Sequence, residues 1–279
     1  MTNRRKPGSV ARYLIKRALA PWWLAVLELR NKIRLSPTAV ALRRVENAEV
    51  TRLRSEIQPL PPTKVATIIP TYRRPESLPH AIQSALAQTE RDHVVIVVDD
   101  GGGLPELPPD PRLRTCSLSA NTAVVGVVVN VGIRLTSSTY VAFLADDNEW
   151  EPNHLEVALA ALESGPDSDR PDLVYTALKR LFPDGRLMDV LSTPFDRRLL
   201  AREGYIDGNA LVVRRFRRLH CSRIRRPRGL APREDWELVY RLSRRRRTLH
   251  IPTPTVRYQV NPDSYWSDWS AVTVQEPAS

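Results

Sequence analysis

The chain has 279 residues, 42 Lys and Arg against 31 Asp and Glu, and a formal net charge of +11. Its hydrophobic fraction of 42% excludes a disordered chain, and two cysteines, Cys116 and Cys221, are too few for a disulfide framework or a thiolate metal site. Residues 1–62 carry +9, 63–213 carry −7, 214–247 carry +11 and the remainder −2, a distribution that ranks nucleic acid below anionic lipid or phosphorylated substrates as a partner.

Ala18–Leu27 is the longest uncharged stretch near the N-terminus, far short of the roughly 20 apolar residues that span a bilayer. Around it, Trp22, Trp23 and several leucines are mixed with Lys16, Arg17 and Arg30. Such a segment suits a membrane interface, Trp at the headgroups and cations toward anionic lipid. It equally suits an N-terminal helix packed on its own domain, with Pro21 interrupting it. Residues 36–57 read as a polar helix, and Pro59-Leu-Pro-Pro62 breaks the chain. A basic, helical extension, a candidate membrane-interface anchor, is therefore expected over 1–62.

From Lys64 the pattern is strand–helix–strand. Val65–Ile69 predicts a strand and Pro75–Gln88 a helix with Leu78, Ala81, Ile82, Ala85 and Leu86 on one face. Val94–Val98 predicts the next strand, Gly101-Gly-Gly103 and the prolines after it a loop, and Arg114–Leu118 a short strand. Ala123–Leu135 reads as a helix, although its valines suit a strand. Tyr140–Leu144 predicts a strand and Pro152–Leu162 a helix. This alternation implies an α/β fold with a mostly parallel sheet flanked by helices.

Three acidic clusters stand out: Asp99-Asp100, Asp146-Asp147 and Glu234-Asp235. The first two end apolar runs, Val94–Val98 and Tyr140–Leu144, that read as strands buried on both faces. Ligands of open α/β sheets bind just outside the carboxyl ends of such strands. Paired acids there suit a divalent metal held against a phosphate. Each cluster also has a plainer use, because Asp146-Asp147-Asn148 can cap the helix near Pro152 and Glu234-Asp235 sit where a helix dipole favours acids.

The ordered segments Ile68-Ile-Pro-Thr-Tyr-Arg-Arg74, Ala81-Ile-Gln-Ser-Ala-Leu-Ala-Gln-Thr89, Val97-Val-Asp-Asp100, Asn130-Val-Gly-Ile133, Tyr140–Pro152, Asp207-Gly-Asn-Ala210 and Arg233-Glu-Asp-Trp-Glu-Leu238 together resemble family 2 glycosyltransferases of the inverting, GT-A (nucleotide-diphospho-sugar transferase) type. The resemblance covers about 65–260. It implies a Rossmann-like GT-A domain over 63–265 and a tail over 266–279. It implies that Pro70, Thr71, Tyr72, Arg74, Asp100 and Asp146 bind the nucleotide, and that Asp147 binds Mg²⁺ or Mn²⁺ bridging the diphosphate. Asp235 resembles the general base, with Glu234 beside it, and Asn209 and Trp236 lie on the acceptor side.

The expected reaction moves a sugar from a nucleotide-diphosphate donor, with UDP favoured, to a saccharide, glycolipid or lipid-linked acceptor. The expected place is the cytoplasmic inner face of a membrane. Three positions depart from the family: Ala145 stands for the first Asp of its Asp-x-Asp motif, Val129 for an Arg, and Asn261 for a His. They motivate a second reading, a catalytically silent sugar-nucleotide-binding partner; a basic nucleic-acid-binding protein is the third. The eight arginines within 214–228 suggest either a phosphate- or lipid-facing patch or a solvated surface.

Overall fold

The computed structural model describes residues 23–226 and 234–260. Helix α1 spans Trp23–Glu56, starting well before the predicted residue 36. Pro37 lies inside it because the carbonyl it frees, that of Ile33, accepts the Ser36 hydroxyl at 3.4 Å. Leu24, Val50 and Leu53 of α1 are buried in the main core, and Leu42 packs with Val124 and Val127. Glu46, fully buried, takes ion pairs from Arg134 at 3.1 Å and Arg223 at 2.6 Å and a hydrogen bond from the Asn130 amide. No helix of the described residues is long and apolar enough to cross a membrane.

Strands β1 (Thr63–Thr71), β2 (His93–Asp99), β3 (Leu113–Ser117) and β4 (Ser138–Phe143) run parallel in the order β3-β2-β1-β4. Helices α2 (Leu78–Leu86) and α3 (Val125–Leu135) alternate with them. The valines of α3 argue for a strand locally, but the segment is helical because both its faces are enclosed. A Cβ on Gly132 would come within 2.6 Å of Ile68, and one on Gly126 within 2.1 Å of the Ser222 carbonyl. Tertiary packing overrides weak propensity here.

Beyond β4 come β5 (Glu149–Trp150), α4 (His154–Leu162), β6 (Leu173–Leu181), β7 (Leu187–Leu191), a short α5 (Arg197–Leu200), a 3₁₀ turn (Gly208–Ala210), β8 (Leu211–Arg214), α6 (Glu234–Leu242) and β9 (Thr248–Gln259). β8 joins β4 and β6 antiparallel, β9 lies parallel to β6, and β5 and β7 pair antiparallel with β9 and β6. The result, among the described residues, is one mixed nine-stranded sheet. Strand order reverses between β1 and β4, so the crevice that such a reversal opens lies past Pro70 and Phe143.

Candidate active site

Pairing between β1 and β4 ends at Ile68 and Phe143, with one further hydrogen bond from the Leu144 N–H to the Ile68 carbonyl. Pro70, next on that side of β1, has no N–H to leave unpaired. The two strands therefore part, and a cavity of about 320 Å³ opens between them. Its wall includes Pro70, Val125, Val129, Leu144, Ala145, Asp147, Asp207, Asn209, Glu234, Asp235 and Tyr258. Most of that wall is apolar; its acids come from three separate segments, after β4, before β8 and at the start of α6.

Loops on the nucleotide side are folded by the first acidic pair. Asp99 accepts hydrogen bonds from the Gly102 and Gly103 N–H groups, each at 2.9 Å. Asp100, expected to meet the base, is only 6% exposed, and its oxygens accept from Thr122 N–H at 2.8 Å and Ala123 N–H at 3.0 Å. Burial raises its pKa, and those N–H groups oppose the rise. It is a loop anchor in this structure. Gly102 lets the two loops meet, since a Cβ there would stand 2.9 Å from both Tyr72 and Arg73. Arg73 holds a left-handed φ of 54° and lies over the Tyr72 ring at 5.1 Å, with Tyr72 exposed.

Asp146 and Asp147 have carboxyl pKa values raised chiefly by burial; the charge of Asp147 raises Asp146 further, and Arg74 pulls both down. Arg74 thus places a positive charge near enough to act on both acids. The buried Asn148 donates to Asp147 Oδ1 at 2.9 Å while its own oxygen accepts from the Gln259 N–H. That bond fixes the Asp147 carboxylate to the end of β9. The loop is held from behind by Gln88, whose amide reaches the carbonyl of Glu151 and the N–H of Leu155. The cap reading of Asp146-Asp147 falls away: α4 has Asn153 at its N-cap, with no side-chain cap bond.

Asp235 and Glu234 occupy the first turn of α6, as the dipole favours. Burial nevertheless outweighs the dipole. The Asp235 carboxyl is pushed from the ordinary 3.8 up to about 7, by desolvation first and by the charge of Asp207 second. Asp207 is itself buried and raised, with Asp147 adding to the rise. Its Oδ1 accepts from the backbone N–H and the side-chain amide of Asn209. Asp207 opens the Asp207-Gly-Asn-Ala210 segment, and nothing in the sequence alone marks it, because its burial exists only in three dimensions.

Two acceptor-side expectations change. Asn209 lines the cavity but serves as a strut: its oxygen accepts from Ala145 N–H at 2.6 Å and its carbonyl from the Trp150 indole at 2.8 Å. Trp236 turns away, donating its indole N–H to the Leu200 carbonyl and lying against Gly204. The arginine patch is corrected as well. Arg215 caps the carbonyls of Ile133 and Ser138, Arg223 pairs with Glu46, Arg225 reaches the Thr122 carbonyl and Arg226 pairs with the buried Glu28. These arginines hold the fold together. Arg217 and Arg218 are exposed; Arg228, like Asn261 and the tail, lies outside the described residues.

Among the described residues no three His, Cys, Asp or Glu side chains converge to hold a metal unaided. Asp147 with donor phosphate oxygens is nonetheless a donor set that suits Mg²⁺, which needs only one or two carboxylates when phosphates complete its shell. Cys221 at the cavity wall is a buried thiol, its pKa pushed up to about 12 by burial, and supplies no thiolate.

Residues 66–169 match the family model described as Glycosyl transferase family 2. The putative colanic acid biosynthesis glycosyl transferase WcaA of Escherichia coli is 31% identical over 103 residues, 34% of this chain and 37% of that one. The succinoglycan biosynthesis protein ExoW of Rhizobium meliloti is 33% identical over 101 residues, 33% of this chain and 32% of that one. This chain spans less than two fifths of the length of the curated relatives it matches. Among solved structures, residues 1–349 of S. aureus TarS in complex with UDP-GlcNAc align with a TM-score of 0.55 at 16% identity, covering 75% of this chain and 62% of that one. The fold is that of GT-A glycosyltransferases.

Proposed function

We propose that this chain, which through residues 66–169 belongs to glycosyl transferase family 2, moves a sugar from a nucleotide-diphosphate donor to a hydroxyl of a saccharide or lipid-linked acceptor, with inversion. The observation that carries the reading is one cavity lined by both Asp147 and Asp235, the latter titrating near 7. A carboxyl of that pKa is about half ionised at neutral pH, so it can take a proton there and binds it far more firmly than an ordinary carboxylate. In the proposed step the acceptor oxygen bonds to the sugar's C1 as the C1–O bond to the diphosphate breaks. The acceptor proton passes to a carboxylate oxygen of Asp235, and the nucleoside diphosphate leaves.

Asp147, oriented by Asn148, would hold the divalent metal, and Arg74 supplies a second positive charge near the same pair of acids. When bound, the metal would neutralise charge growing on the leaving diphosphate. Tyr72 offers an exposed ring beside Arg73 for the base of the nucleotide. The TarS complex with UDP-GlcNAc favours a UDP donor. Relatives named for colanic acid and succinoglycan biosynthesis favour an acceptor in envelope polysaccharide or glycolipid assembly.

A silent donor-binding protein is the competing reading, favoured by the apolar Val129 and by Ala145 in the cavity wall. Release of nucleotide from a panel of UDP-, GDP- and dTDP-sugars with Mg²⁺ or Mn²⁺ separates the two. Metal-dependent release, lost in Asp147→Ala and Asp235→Asn, is the expected result. Donor binding without release, with acceptor extracts present, would leave the silent reading standing.

A further inference from the structure

Helix α1 has two apolar faces. One, with Leu24, Leu27, Leu42, Val50 and Leu53, is buried in the domain. The other consists of Val26, Leu29, Ile33 and Val40, of which Leu29, Ile33 and Val40 are 60%, 69% and 55% exposed. At 100° per residue these four fall within a stripe roughly 60° wide, about 170° round the helix from the buried face. Three of these four residues, Val26, Leu29 and Ile33, precede the polar helix expected over 36–57, so the continuous helix alone brings them into line with Val40.

The charges around the outer stripe are all of one sign. Lys32 and Arg43 flank it on one side, Arg30 and Arg34 on the other, and Arg44 lies at its end. Glu28, Glu46 and Glu49 point inward, where Arg226, Arg134, Arg223 and Ser119 take them up. Lys32, Arg34, Arg43 and Arg44 make no ion pair among the described residues. The sequence leading into α1, residues 1–22, carries six Lys or Arg and no acid.

We infer that this outer face of α1 docks in the plane of an anionic bilayer, with Leu29, Ile33 and Val40 in the acyl boundary and the flanking cations at the headgroups. An apolar stripe bordered by cations matches that surface in both polarity and charge. A second copy of the helix does not, because it would set the same cations against each other. The inference is independent of the transfer reaction, since vesicle binding needs no donor.

The test is flotation of the full chain with phosphatidylglycerol/phosphatidylcholine vesicles and with phosphatidylcholine alone. Wild type is expected to float with the mixed vesicles and weakly with the neutral ones. Leu29→Ser/Ile33→Ser/Val40→Ser and Lys32→Gln/Arg34→Gln/Arg43→Gln/Arg44→Gln should each lower partition roughly tenfold or more. Both variants alter exposed side chains, so helix content and melting temperature should stay at wild type. Donor hydrolysis in solution should stay there too, which separates a failure of docking from a failure of the transferase reading. Wild-type flotation by the serine variant, or no flotation by wild type, would overturn the inference. So would a wild-type dimer that the serine variant breaks without any vesicle binding.

Discussion

The amide oxygen of Asn209 accepts the backbone N–H of Ala145 at 2.6 Å. Ala145 directly precedes the Asp146-Asp147 pair, and Asn209 sits in the 3₁₀ turn that Asp207 caps, so this bond joins two of the three acidic segments of the cavity. Asn209→Ala should leave the Ala145 N–H and part of the buried Asp207 carboxyl without partners. The expected cost is about 1–3 kcal/mol of stability, read by thermal denaturation, together with a fall in kcat. Asn209→Asp keeps an acceptor for Ala145 but adds charge beside Asp207, and should be no better.

Asp235 ties activity and stability to pH in opposite senses. Its folded pKa lies near 7 against an ordinary 3.8, so the folded chain retains a proton that the unfolded chain has released between those values. Stability from this group is present below about 4, falls as pH rises toward 7 and is flat above. kcat/KM should rise over the same range as the base ionises. Asp235→Asn should reduce turnover by a factor of about 10²–10⁴ yet gain on the order of 1–2 kcal/mol at pH 8. A variant that is inactive and also less stable at pH 8 would speak against a desolvated carboxylate there.

Asn148 touches no substrate in the proposed step; it positions Asp147. Asn148→Ala should therefore raise the Mg²⁺ or Mn²⁺ concentration needed for half-maximal activity by roughly 10- to 100-fold, the usual scale for a residue that orients a metal ligand. Donor KM at saturating metal should change far less. Equal effects on both would assign Asn148 a structural role only.

The first strands, their ends and the paired acids were legible because buried parallel strands announce themselves as apolar runs and stop where chemistry begins; the strand order was not, since it is set by pairing between distant segments. The helix over Val125–Leu135 was legible only with ambiguity, its buried valines and the close approach of Gly126 to Ser222 and Gly132 to Ile68 being set by tertiary packing rather than by propensity. Strands β6 to β9 escaped, because Leu173–Leu181 and Thr248–Gln259 have no clean alternation and owe their place to each other. Within the site, the base candidate and Asp147 could be named from motifs. The strut role of Asn209, the turn of Trp236 away from the cavity into the core and the internal use of Arg215, Arg223 and Arg226 could not, since each depends on a partner more than 30 residues away.

Glu46 should be among the least tolerant positions outside the cavity. It is fully buried and bound by Arg134, Arg223 and Asn130. Glu46→Ala strands two guanidinium groups and should cost about 3–5 kcal/mol, measured by urea unfolding. Glu46→Gln retains the shape and an acceptor and should cost less.

The same pair bears on how the chain is made. Glu46 and Arg223 are 177 residues apart, so at roughly 5–20 residues per second the ribosome delivers the arginine some 9–35 s after the glutamate. Until then the buried carboxylate has only the earlier-made Arg134 and Asn130 to meet it, and the second guanidinium is missing. This helix is therefore exposed to solvent and chaperones well before its full set of partners exists, and its locking awaits residues made in the final third of the chain.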